Sequence, residues 1–134
     1  VAWITLDSPA NRNALSRQLI TELHEALDAA DAATARAIVL GHTGTTFCAG
    51  TDLKERGSGP VDSSGMVRAL QRLSDGPIPS IAAVNGAVRA GGIGLMASCD
   101  LVVVNAATTF AFTEVRIGVA AAIISVPILA RVNP

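Results

Sequence analysis

Apolar and polar positions alternate through the first six residues, VAWITL, which is the two-residue period of a half-buried strand. The turn-rich SPANRN (8–13) breaks it. From Leu15 to Ala30 the period changes. Apolar residues fall at 15, 19, 20, 23, 26, 27 and 30, while Glu22, Glu25 and Asp28 take the opposite face, so the pattern predicts a helix. RAIVLG (36–41) reads as a short buried strand, and HTGTTFCAGTDLKERGSGP (42–60) as a Gly/Thr-rich loop with a mobile tip at 57–60. A second helix is predicted over 65–76, then turn, strand and turn over 77–86, and a short helix over 91–98. DLVVVN (100–105) is a predicted strand, TTFAFTE (108–114) is strand-like, and 117–130 is apolar and helical in part. Strands alternating with helices at short intervals specify an α/β architecture.

Composition sharpens this picture. The 134 residues suffice for one domain with a real core. Half of them are hydrophobic and only 16% are charged, against about 25% in ordinary domains. Part of the apolar surface is therefore expected to meet another subunit. A net charge of −1 gives no reason to expect nucleic acid or a membrane surface as partner. The longest apolar run, IGVAAAIISVPILA, has 14 residues and is interrupted by Pro127, so it is expected to be a buried element and not a membrane span. Cys48 and Cys99 lack C-x-x-C spacing and are expected to be buried free thiols in a reducing cytoplasm. His24, on the polar face of a helix, and His42, in a loop, show no ligand spacing, so no metal site is expected. The chain opens inside a strand and stops after an apolar element, and is expected to be part of a longer protein.

Two places put bare backbone at the end of a predicted strand: FCAGTD (47–52) after AIVL, and NGAVRAGG (85–92) after SIAAV. If Gly91 and Gly92 open a helix, their N–H groups have no intrahelical acceptor and stand at the positive end of its dipole. Such a helix start favours an anion or a developing oxyanion. One N–H near residues 50–51 and another near Gly91 could clamp a single oxygen. The plainer reading is two tight turns in which glycine serves only positive φ. GIGLMA (92–97) also fits G-x-G-x-x-A, with Glu114 as a downstream acid. A dinucleotide site is disfavoured because NGAVRA separates the glycines from the strand IAAV, and the next strand ends at Asn105.

With these loops in view, the chain closely resembles the enoyl-CoA hydratase/isomerase, or crotonase, family. NRNALS (11–16) resembles the family's NRP…NALS, and FCAGTDLKE (47–55) its FcAGaDlke. PSIAAVNGAVRAGG (79–92) resembles PviAavnG.a.GGG, and CDLVVVNAATTFAFTEVRIG (99–118) resembles cDlriA…a.F..pE..lG. The resemblance covers the N-terminal half of a typical member. It implies a spiral of ββα units of the ClpP/crotonase type, with residues 1–134 as a truncated core that lacks the C-terminal trimerisation helices. It also implies an acyl-CoA thioester substrate, no permanently bound cofactor beyond the coenzyme A of that substrate, and a homotrimer or hexamer for the full-length chain.

Carried over by position, the resemblance makes the N–H groups of Thr51 and Gly91 the oxyanion hole. Ala49, Gly50, Asp52, Leu53 and Lys54 would hold the coenzyme A end, mainly through main chain. Lys54 is either a partner for CoA phosphates or simply a solvated lysine. Two glutamates are common in family hydratases. Glu114 matches the second, and Gly94 stands where the first would be. One carboxylate beside an oxyanion hole can still move a proton between carbons, as a double-bond isomerase must. Glu114 lies next to the apolar FAF, a setting that suits an acid/base group; its structural alternative is an ion pair with Arg89 or Arg116. Asp52 and Asp100 read as loop and helix-end hydrogen-bonding residues. After Gly118, VAAAIIS replaces the family's pgxGGt, which alters the acyl pocket. The expectation is thus a hydratase or isomerase of enoyl-CoA, with a non-catalytic acyl-CoA binder as the alternative.

Overall fold

Ser16 caps the first helix: its Oγ accepts the Leu19 N–H at 3.1 Å, so α1 runs Arg17–Ala32, shifted by two residues from the expected 15–30. Its buried face is Leu19, Leu23, Leu27 and Ala30, as the periodicity predicts. The computed structural model describes residues 1–55 and 62–133; the expected mobile tip at 57–60 lies outside the described residues.

The strands are β1 (Ala2–Leu6), β2 (Ile38–His42), β3 (Thr46–Cys48), β4 (Ser80–Val84), β5 (Ala87–Arg89), β6 (Leu101–Val104) and β7 (Phe110–Ala111). The remaining helices are α2 (Ser64–Asp75), α3 (Gly91–Ser98) and α4 (Ala122–Leu129). Two parallel sheets form, in the orders β1-β2-β4-β6 and β3-β5-β7. Each successive unit, β2-β3-α2, then β4-β5-α3, then β6-β7-α4, gives one strand to each sheet and follows with a helix. That repeat is the expected spiral of ββα units. Leu40, Phe47, Val88 and Leu95, one from each sheet strand or helix at the centre, are fully buried.

Four expectations are corrected. The stretch 42–60 is not simply a loop, because β3 lies within it, and NGAVRA contains β5. Both strands have three residues and are stabilised by pairing with distant partners, so they leave little local period to read. His42 is the last residue of β2 and not a loop residue. Its Nε2 accepts the Asn85 N–H at 3.0 Å, so Nδ1 carries the proton and donates to Thr43 O. The apolar run after Gly118 is helical but mostly exposed: Val126 is 73% and Leu129 68% exposed, and on α4 only Ile124 is fully buried. No described helix is long and apolar enough to cross a membrane.

Candidate active site

The segment following the first turn builds one wall of the site. Ala49 N–H donates to Arg12 O (3.0 Å), Leu15 N–H to Gly50 O (2.7 Å) and Asp52 N–H to Leu15 O (3.3 Å). In this bridge the bonds flank residue 51, which turns the Thr51 N–H away from Leu15. It has no acceptor among the described residues. Asn13 anchors the wall. It is wholly buried at φ +53°, its Oδ1 accepts Ser8 N–H at 2.7 Å, and its Nδ2 donates to Thr43 O (3.0 Å) and Thr46 O (2.8 Å). Sequence reasoning passed over this residue. The signal was the second Asn of NRN in a turn, since Asn tolerates the left-handed region and bonds nearby backbone.

The other wall is the β5–α3 junction. Ala90, at φ +46° and ψ −122°, turns the chain from strand to helix, and its N–H donates to Ala111 O of β7 at 3.1 Å. Gly91 is the first helical residue, and its N–H has no acceptor among the described residues. The walls meet at Gly50. At its φ of +89°, a Cβ would stand 2.7 Å from Ala90 Cβ and 3.4 Å from the Gly91 nitrogen. The two unpaired N–H groups, Thr51's and Gly91's, thus belong to backbone segments in direct contact.

The glycines of α3 also serve packing. A Cβ on Gly91 would meet Leu15 Cδ1 at 2.8 Å, one on Gly92 would meet Cys48 Cβ at 2.6 Å, and one on Gly94 would meet Ile124 Cγ2 at 2.6 Å. Their side-chain positions face protein, so these glycines let α3 pack closely on its neighbours. Only the N-terminal amide edge remains for a ligand. The same packing disposes of the dinucleotide reading better than the strand spacing did, since β5 in fact ends just before α3.

Glu114 opens a 3-10 turn, Glu114–Ile117, with two residues between it and the end of β7. The residue is half-buried, and its Oε2 is buried with no hydrogen-bond partner among the described residues. Arg89 does not pair with it. Its guanidinium donates to Val88 O (2.9 Å), Thr109 O (2.6 Å) and Thr109 Oγ1 (3.0 Å). Among the described residues the ion pairs join Arg72 to Asp28 and Asp31, far along the chain from this turn. A buried carboxylate oxygen without a partner calls for an explanation, and a functional one is available.

The strip 49–54 continues outward from Gly50. Ala49 is half-buried, whereas Leu53 and Lys54 are exposed. Asp52 is occupied structurally: Oδ1 accepts Lys54 N–H (3.0 Å) and Oδ2 accepts Asn11 Nδ2 (3.3 Å). Asp100 likewise holds Ser80, accepting its N–H at 2.7 Å and its hydroxyl at 3.1 Å. Behind the site, Cys48 and Cys99 are free and buried. Burial pushes the Cys48 thiol up to about 12, against a smaller opposing effect of the Gly50 N–H that points at its Sγ.

Residues 1–133 match the family model described as enoyl-CoA hydratase/isomerase. The chain is 39% identical over 142 residues to a protein of Thermus thermophilus provisionally assigned as an enoyl-CoA hydratase, covering 99% of this chain and 56% of the relative. It is 38% identical to the mevalonyl-coenzyme A hydratase sidH of Aspergillus fumigatus, over 98% of this chain and 51% of that one. A crystal structure of an enoyl-CoA hydratase from Mycobacterium avium superposes with a TM-score of 0.85 at 43% identity, over 98% of this chain and 52% of the other. The chain spans about half the length of the curated relatives it matches.

Proposed function

This chain belongs to the enoyl-CoA hydratase/isomerase family, and from that premise we propose that the full protein is an acyl-CoA enzyme that stabilises a thioester enolate. The observation that carries the reading is the contact between Gly50 and the Ala90–Gly91 peptide, which joins the segments bearing two unpaired N–H groups. Thr51 N–H and Gly91 N–H form the oxyanion hole, and the dipole of α3 adds positive potential at the Gly91 side. Coenzyme A lies along Ala49–Lys54, held mainly by main chain, as part of the substrate and not as a resident cofactor.

Glu114 is the acid/base. In hydration, water oxygen bonds to the β-carbon while its proton passes to Glu114. The electron pair of the double bond moves onto the thioester oxygen, and the carboxylic acid then returns a proton to the α-carbon. In isomerisation, Glu114 takes the α-proton of a 3-enoyl thioester, leaving a dienolate whose oxygen sits in the same hole, and returns it to the γ-carbon as the double bond moves into conjugation and the carbonyl re-forms. A specific observation favours the second course. Ile124 fills the space beside Gly94, so no second carboxylate stands there to share the work. A cytoplasmic setting belongs to this reading, supported by two buried unpaired thiols. So does a homotrimer or hexamer of the full chain, supported by exposed apolar residues such as Leu101, Val103 and Phe110.

The test is ultraviolet absorbance of the conjugated thioester with the full chain. Loss of absorbance from a short 2-enoyl-CoA means hydration. Gain of absorbance from a 3-enoyl-CoA without such loss means isomerisation. Binding of acyl-CoA with neither change overturns the enzymatic reading.

A further inference from the structure

The geometry assigns Ile124 the role of positioning residue for Glu114, through a notch that Gly94 opens in α3. This assignment rests on the acid/base role proposed for Glu114 and deepens it. Ile124 is 5% exposed and is the only buried residue of α4; its neighbour Ile123 is 38% exposed and Val126 73%. The notch exists because residue 94 has no side chain. A Cβ there would come within 2.6 Å of Ile124 Cγ2, 2.9 Å of its Cβ and 3.5 Å of its Cα. Ile128, one turn along, is half-buried and packs against the core. The start of α4 is thus seated on α3 by one side chain entering one glycine, while its far end is held separately by the Arg131 guanidinium, which donates to Cys99 O and to Asp100 O (3.2 Å).

Glu114 is tied to that seat. Its carbonyl accepts Val119 N–H at 3.1 Å, and Gly118, at φ +64°, closes the 3-10 turn by donating to Val115 O. The first residue of α4, Ala122, comes only three residues after Val119, and Ser125 N–H already donates to Ala121 O. On its other side Glu114 follows β7, a strand of only two residues. A short strand alone is a poor anchor, so the α4 seat is the second support that fixes where the carboxylate stands. Its buried, unpartnered Oε2 needs such support, because nothing described holds that oxygen directly. A displacement of about 1 Å at a reacting group can cost roughly 100-fold in rate.

The experiment compares Gly94→Ala, Ile124→Ala and the double variant in the full chain. Two readouts are used: hydrogen exchange of the amides in 112–121, and α-proton exchange of a saturated acyl-CoA in deuterated water. Gly94→Ala should raise exchange in 112–121 and slow α-proton exchange at least tenfold at saturating substrate, with KM changed less than threefold because 49–54 is untouched. Removing the colliding side chain in Gly94→Ala/Ile124→Ala should recover part of both. Ile124→Ala alone keeps the test open if Gly94→Ala fails to fold; it should loosen 112–121 without adding a clash. Unchanged protection of 112–121 in these variants overturns the assignment. If protection responds but the unaltered protein exchanges no α-proton, the positioning stands and the functional reading falls.

Discussion

Gly50 and Ala90 touch through backbone conformations that most residues avoid: φ is +89° at Gly50 and +46° at Ala90. Two loops separated by forty residues of chain are thereby pressed together, and the next N–H on each, Thr51's and Gly91's, has no acceptor among the described residues. Glycine at 50 serves both needs, since it tolerates the left-handed region and leaves room for the Ala90 methyl. The contact is therefore the geometric centre of the site.

Substituting Gly50→Ala should damage both stability and turnover. The new Cβ would sit 2.7 Å from Ala90 Cβ, and the residue would be strained at its φ of +89°. Strain of this kind costs of order 1–3 kcal/mol. Separation of the loops should lower kcat by roughly 100-fold or more if two amides share one oxygen. Thermal unfolding and steady-state kinetics on the same preparation check both. A variant that unfolds earlier but turns over normally would remove Thr51 and Gly91 from the oxyanion role.

Glu114→Gln keeps the shape of the side chain and removes the proton carrier. Turnover should fall by roughly 10²–10⁴-fold, the usual contribution of a positioned acid/base. Affinity for acyl-CoA should change little, because 49–54 lies on other elements. Calorimetric titration with a saturated acyl-CoA, set beside the kinetics, separates the two effects. Full turnover in the glutamine variant would transfer the acid/base role elsewhere.

The long elements were legible because their period is local. The buried face of α1 could be read residue by residue from Leu19, Leu23, Leu27 and Ala30. β3 and β5 were not, since Thr46–Cys48 and Ala87–Arg89 become strands only by pairing with each other and, for Ala87–Arg89, with β7. The positions of the two amides followed from the glycine loops and the family resemblance. The reason for the glycines did not: only packing reveals that Cys48 and Ile124 occupy the space beside Gly92 and Gly94. Periodicity also fails on α4, where an apolar composition on nearly every side gives no preferred face to read.

Asn13→Ala should be among the most destabilising single changes outside the core. It leaves Ser8 N–H and Thr46 O without their shared side-chain partner, and Thr43 O with only the His42 Nδ1–H, in a site where the side chain is fully buried. Orphaned buried groups cost about 1–3 kcal/mol each, and partial rehydration near Ser8 softens the sum to roughly 2–4 kcal/mol. Asn13→Asp should do no better, because a carboxylate would face two carbonyl oxygens. Urea unfolding of both variants tests this. An aspartate variant as stable as the original would mean that the carbonyl contacts contribute nothing.

Alkaline pH should destabilise the fold through its two thiols. Burial raises Cys48 from 9.0 to about 12 and Cys99 from 9.0 to about 11. For Cys99 the Asp100 charge adds to burial, while a hydrogen bond with Ser80 and the Arg131 charge oppose it. The sign follows from proton counting. Above pH 9 the unfolded chain releases thiol protons that the native fold retains, so the unfolded state binds fewer protons and stability falls as pH rises. The fall spans pH 9 to 11 for Cys99 and 9 to 12 for Cys48. By pH 10 each thiol should cost roughly 1 kcal/mol. This chain suits the measurement, because it has no tyrosine and Lys54 is its one lysine. Unfolding free energies from pH 7 to 10 should decline in the original and flatten in Cys48→Ala/Cys99→Ala. An equally steep decline in the double variant would place the alkaline sensitivity outside the thiols.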